Sequence, residues 1–336
     1  MSMNETNKID FLAIGDLVID AFIKLKAAHV HDRVNHESKE LCVSFGDKIP
    51  YESVDILTAV GNSPNAAVSA ARLGLRSVLL SYVGDDQNGR DCITSLQTDN
   101  VDSKYVVTTP GMKTNYHYVL WYGAERTILV KHEEYPYKFP QIPESVGWIY
   151  LSSMAENSFD YHMEIAEYLK AHPETKLAFQ PGTFQMKLGV EKLKAIYENT
   201  HVFFCNVEEA KRILGITEHA DISILLAGIR NLGPKIACIT DGPNGAHVSD
   251  GSEIWFIKEY PDPKPPYDRT GAGDAFSSTF TSALALGKTI PEALSWGPIN
   301  SMSVVQYVGA QKGLLSREAL EKYLAEAPAD YKPIKI

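Results

Sequence analysis

Short, β-rich apolar runs recur along the chain with helical patterns between them, and this alternation restricts the fold more than any other feature. The runs are FLAIG (11–15), SVLLSYVG (77–84), WIYLS (148–152), KLAFQ (176–180), VFFC (202–205) and KIACIT (235–240). They are apolar on both faces, as strands of a parallel sheet covered by helices must be. Helical spacing marks 65–73 with Gly74 behind it, 89–97, 161–170, and 207–214 with Gly215 behind it. Glycine after the last periodic residue is a helix stop. Repeated βαβ units predict a three-layer α/β/α domain. Beyond residue 270 the pattern turns mainly helical, over 270–286, 291–307 and 316–324.

Two stretches break that rhythm. Residues 41–60 and 115–131 alternate apolar and polar positions with turn signals inside, which reads as antiparallel strands. They predict a small β-sheet lid, inserted at about 36–60 and 113–133 of one domain spanning 1–336. With 44% apolar and 22% charged residues the chain has material for a large core. Its net charge of −10, without a local basic patch, argues against nucleic-acid and membrane partners. Cys42, Cys92, Cys205 and Cys238 show no CxxC spacing, so reduced thiols are expected. The N-terminus lacks a basic region followed by an apolar one, and no run of about 18 apolar residues occurs, so a cytoplasmic protein is expected.

Three segments carry chemistry. In Asp268-Arg269-Thr270-Gly271-Ala272-Gly273-Asp274, small residues uncover consecutive backbone N–H groups at the start of an apolar helix. With the helix dipole they make a site for an anion, and Asp274 falls in the first turn. In Gly61-Asn62-Ser63-Pro64-Asn65, a loop runs into a small-residue helix. The asparagine amides suit polyol hydroxyls and suit helix capping equally. Asp16 and Asp20 lie just past the first strand, at the sheet end where open α/β sheets bind ligands. They read as hydroxyl acceptors or as solvated turn acids.

Together these residues resemble the PfkB or ribokinase-like carbohydrate kinases over nearly the whole chain. Residues 268–274 are similar to that family's C-terminal signature, with Arg269 as a departure, and 61–67 to its N-terminal one, with Asn62 in place of a glycine. Asn206-Val207-Glu208-Glu209 resembles its Asn-x-x-Glu element, and Thr240-Asp241-Gly242-Pro243-Asn244-Gly245 its phosphate turn. The stretch 303–310 and Asn300 match its late helical region, where the family lines an adenine pocket. The resemblance implies a ribokinase-like fold and an ATP- and Mg²⁺-dependent transfer to a hydroxymethyl group. Asp274 would be the base, with Gly271, Ala272 and Gly273 as anion hole. Asp16 (preferred), Asp20, Gly61, Asn62 and Asn65 would hold the substrate. Asn206, Thr240, Gly242, Gly245, Thr270 and Asn300 would hold ATP. Glu209 would hold Mg²⁺ through water, and Asp268 would face a monovalent cation, making K⁺ a further cofactor.

The substrate stays open between a ribose-like sugar and a nucleoside, and the Tyr/Trp-rich strand 116–122 is the place where a base would stack. Arg269 could reach the transferred phosphate or an already phosphorylated substrate. Residues 282–289 imitate a phosphate loop, but Ser282 replaces its first glycine and the segment reads as a helix end. His29, His31 and His36 read as a solvated loop rather than a metal site. The apolar lid face predicts a homodimer.

Overall fold

The computed structural model describes residues 8–32, 39–123, 125–218 and 220–336. The chain opens with β1 (Lys8–Ile14), β2 (Val18–Leu25), β3 (His29–Asp32), β4 (Lys39–Cys42) and β5 (Tyr51–Val60). Then come α1 (Asn62–Arg72), β6 (Ser77–Gly84), α2 (Gln87–Thr98), β7 (Asp102–Thr109), β8 (Asn115–Tyr122), β9 (Glu125–Leu129) and β10 (Ser145–Leu151). The middle holds α3 (Phe159–Ala171), β11 (Lys176–Phe179), α4 (Thr183–Lys192), α5 (Lys194–Asn199), β12 (Thr200–Asn206), α6 (Val207–Leu214) and α7 (Ile222–Asn231). The last part is β13 (Ile236–Thr240), β14 (Ala246–Ser249), β15 (Ile254–Ile257), α8 (Ala272–Ala285), α9 (Ile290–Val304), α10 (Arg317–Ala325) and β16 (Ile334–Lys335).

Ten strands form the main sheet in the order β16-β15-β14-β13-β12-β11-β10-β1-β6-β7. From β13 to β7 every pairing is parallel, and β14, β15 and β16 add an antiparallel edge. Each face of the sheet carries its own core. Phe11 and Ala13 of β1 pack with α1, α8, α9 and α10, while Ile9, Leu12 and Ile14 pack with α3, α5, α6 and α7. The expected helices are all present within a few residues. The helix expected from residue 65 begins at Asn62, because Gly61 turns into it at φ 119°, where a Cβ would lie 2.7 Å from the Asp16 carbonyl. The phosphate-loop imitation is indeed the end of α8, followed by a turn at Gly287 and the Thr289 cap of α9.

The lid is a four-stranded sheet in the order β5-β2-β8-β9. Its β2 is a correction: the segment carrying Asp20, read above as a turn past the first strand, is a full lid strand. It pairs antiparallel with β5 and parallel with β8. Strand alternation then sorts the residues. Asp20, Leu57 and His117 stand in register on the face toward the body, and Ala21, Ile56, Tyr118 and Leu129 form a row on the outer face. The histidine-rich segment is likewise no loop: His29 and His31 sit on β3, which pairs with β4, and His36 lies outside the described residues. All four cysteines are free thiols, three of them buried. No helix among the described residues is long and apolar enough to cross a membrane.

Candidate active site

Two cavities meet at the start of α8. One, of about 340 Å³, is lined by Thr240, Gly242 and Gly245 from the turn after β13, by Arg269, Ala272 and Gly273, and by residues of α9. The other, of about 270 Å³, lies under the lid, with Asp16, Asp20, Asn62, Asn65, His117, His132, Thr270 and Asp274 in its wall. Gly273 lines both.

The turn between them explains itself residue by residue. Gly271 has φ 78°, and a Cβ there would lie 2.2 Å from that of Ala310, so only glycine fits. The amide of Ala275 is bonded to the Gly271 carbonyl at 2.8 Å, whereas that of Ala272 reaches Arg269 only at 3.5 Å. Amides before the first full helical turn have no intrahelical partner.

Asp274 is buried, and burial raises its carboxyl above the usual carboxylate range against the opposing pull of three amides. Asn62 Nδ2 donates to Oδ1 at 2.7 Å, Asn65 Nδ2 to Oδ2 at 2.9 Å, and Gln180 Nε2 to Oδ1 at 3.2 Å. Because α1 starts at Asn62, Asn62 and Asn65 fall on one helix face and reach the same carboxylate. Sequence reasoning missed Gln180. It follows the last residue of β11, and its Oε1 is held by Tyr150 Oη and by Ser277 Oγ, the latter at 2.9 Å.

Asp16 and Asp20 both line the cavity under the lid, in different surroundings. Asp16 Oδ1 accepts from Tyr137 Oη at 2.6 Å, and Oδ2 faces His132 Nδ1 at 2.7 Å, so both oxygens are engaged by the chain itself. Among the described residues Asp20 Oδ1 has no hydrogen bond, although His117 Nδ1 stands 3.3 Å away, and His117 Nε2 is likewise buried without a partner. Asp20 and His117 both line the 270 Å³ cavity. Neither histidine carried a signal in the sequence, since each lies about a hundred residues from its acid.

Other expected residues scatter. Asn206 and Glu209 close a capping box on α6, each side chain bonding the other's backbone N–H at 2.8 and 2.9 Å. Asn206 stands beside Thr240 in strand register. Asn300 faces away from both cavities: its Nδ2 donates to Thr279 Oγ1 at 2.7 Å and its Oδ1 accepts the Leu315 amide at 2.9 Å, while Ser301 and Met302 line the cavity instead. Arg269 borders the 340 Å³ cavity with Asp262, not the one under the lid. Asp268 already has a cationic partner, Arg126 of β9. Tyr116 and Tyr118 contact each other, with Tyr118 on the outer lid face, and Trp121 packs edge-on to Tyr267 at 5.3 Å.

Among the described residues no group of three or more His, Cys, Asp or Glu side chains is placed to ligate a metal directly. Glu209 Oε2 is given to a backbone amide, and neither Asn206 nor Glu209 is among the residues lining the two cavities.

A family model described as pfkB family carbohydrate kinase matches residues 39–317. The chain is similar to the ATP-dependent 6-phosphofructokinase of Thermoanaerobacterium thermosaccharolyticum, 25% identical over 323 residues and covering 91% of both chains. It is also similar to the ribokinase of Bacillus subtilis, 29% identical over 274 residues, 79% of this chain and 87% of that one. The solved Arabidopsis thaliana ribokinase complexed with ribose and ATP matches with a TM-score of 0.79 at 19% identity, over 94% of this chain and 98% of the other.

Proposed function

The chain belongs to the pfkB family of carbohydrate kinases, phosphotransferases with an alcohol acceptor, and from that premise we propose that it moves the γ-phosphoryl group of ATP to a hydroxymethyl group of a small, uncharged, ribose-like sugar. Its fold is the three-layer ribokinase-like arrangement with a β-sheet lid. One observation carries the reading: Asp274, buried and held by three amides, stands at the Gly273 junction of two cavities of unequal character.

The nucleotide belongs in the 340 Å³ cavity, with its terminal phosphate toward the amides at the start of α8. Asp274 receives the acceptor's hydroxyl proton. Its raised pKa makes it a better base than an ordinary carboxylate, and the proton becomes acidic as its oxygen bonds to phosphorus. Asn62, Asn65 and Gln180 keep the carboxylate aimed. Magnesium, carried on the phosphates, would supply charge neutralisation.

Charge under the lid favours an unphosphorylated acceptor. Among the described residues the lining includes Asp16, Asp20 and Asp274 but no lysine or arginine, so a phosphomonoester would meet like charge. Asp20 and His117, which line this cavity, supply a carboxylate and an imidazole for sugar hydroxyls. The nucleoside alternative loses its stacking strand, because Tyr118 faces outward and Trp121 is taken by Tyr267.

The test is ADP release with MgATP against ribose, fructose, fructose 6-phosphate, 2-keto-3-deoxygluconate, adenosine and cytidine. Turnover is expected with a neutral sugar, falling about 10²–10⁴-fold in Asp274→Asn while nucleotide binding persists. Turnover confined to a nucleoside or to the sugar phosphate would refute the substrate assignment, and full activity in Asp274→Asn would refute the base.

A further inference from the structure

The lid grips the segment between β15 and the α8 turn at two consecutive residues, Tyr267 and Asp268. Arg126 of β9 and Trp121 of β8 are register partners. The Arg126 guanidinium pairs with Asp268 Oδ1, and Trp121 lies against Tyr267. The Asp268 side chain is only 4% exposed. Its Oδ1 also accepts the Thr270 amide at 2.9 Å and the Thr270 hydroxyl at 2.6 Å, and its Oδ2 accepts the Gly309 amide at 2.8 Å. One carboxylate thus ties the lid, the turn at 270–273 and the loop around Gly309 into one unit. Arg126 lines neither cavity, so whatever it does to the reaction it does through Asp268.

Resting on the kinase reading above, we propose that Arg126 is a positioning residue: from the lid it supplies the counter-charge that keeps Asp268 buried, and so holds the 270–273 amides in place for phosphoryl transfer only while the β8–β9 hairpin is seated. A buried carboxylate stripped of its cation must take up a proton or move toward water. The first weakens the two bonds to Thr270 and the second breaks them, and anion-hole amides that shift even slightly stabilise the developing charge poorly. The cation comes from the chain itself, so Asp268 needs none from solution. The Arg126 guanidinium stands where the sequence suggested a bound monovalent ion.

Steady-state kinetics of wild type, Arg126→Ala and Arg126→Lys, with the acceptor identified in the panel, test this. In Arg126→Ala, kcat is expected to fall about 100-fold with acceptor KM nearly unchanged. Millimolar guanidinium chloride should restore part of the loss in that variant and none in wild type, and Arg126→Lys should fall between them. Amide hydrogen exchange supplies a readout independent of turnover: 268–274 should exchange faster in Arg126→Ala while β10 keeps its protection. An unchanged kcat, a loss that guanidinium does not rescue, or loss of protection spread equally through β10 would overturn the proposal. Should wild type be inactive on every acceptor, the kinase reading fails, and the exchange comparison still decides the role of Arg126.

Discussion

At the scale of single residues, the site depends on which carboxylates have partners. Asp274 must be ionised to accept a proton, and burial raises its pKa, so kcat/KM is expected to climb with pH through a limb above the ordinary carboxylate range. Gln180 donates to the charged form, so Gln180→Leu should move that limb to still higher pH; a limb that stays put would remove Gln180 from the base's environment. Asp16 and Asp20 should separate cleanly. Asp16→Ala strands the Tyr137 hydroxyl and the His132 ring, a cost of about 1–3 kcal/mol in urea unfolding. Asp20 Oδ1 has only the 3.3 Å His117 contact to lose, so Asp20→Ala should cost less stability than Asp16→Ala and raise acceptor KM, and the opposite pattern would favour Asp16 as the substrate residue. What the sequence concealed here is distance. Asn62 and Asp274 are 212 positions apart, yet each sits in a recognisable local motif. Gln180, His117, His132 and Arg126 sit in none, and only folding brings them to their partners.

Among elements, the body was legible, and so were β5, β8 and β9 of the lid sheet, while β2 was not. Parallel strands buried on both faces read as unbroken apolar runs, and their helices end in glycines with left-handed geometry, as at Gly215 with φ 68°. VIDAFIKL of β2 shows no such simplicity. One face must meet a polar cavity through Asp20 and the other must pack as Ile19 and Ala21 do, so its alternation blurs, and its parallel partner β8 lies almost a hundred residues on. The α8 turn is the most exacting element. Gly271→Ala forces a side chain into φ 78° and onto Ala310, costing about 1–3 kcal/mol from the backbone conformation alone. Its kcat should fall much further than the lost stability accounts for, and an active Gly271→Ala enzyme would mean the amides need not hold this geometry.

For the molecule as a whole, the lid's outer face is the unfinished surface. Ile56, Tyr118 and Leu129 share one row across the sheet and are about half exposed, at 58%, 48% and 52%. Such a patch on a sheet calls for cover, and we propose that a second copy supplies it. Sedimentation at micromolar concentration should find a dimer that Ile56→Glu converts to monomer, and a monomeric wild type would refute the pairing. The partition at Gly273 has a different consequence. A single residue without a side chain is shared by the two chambers, so a two-headed inhibitor, a sugar-like head tethered to a nucleotide-like one, would need only a very short bridge to occupy both. Short tethers give high effective concentrations, and such a compound should therefore bind far more tightly than either half, with a steep penalty for each atom by which the bridge overshoots.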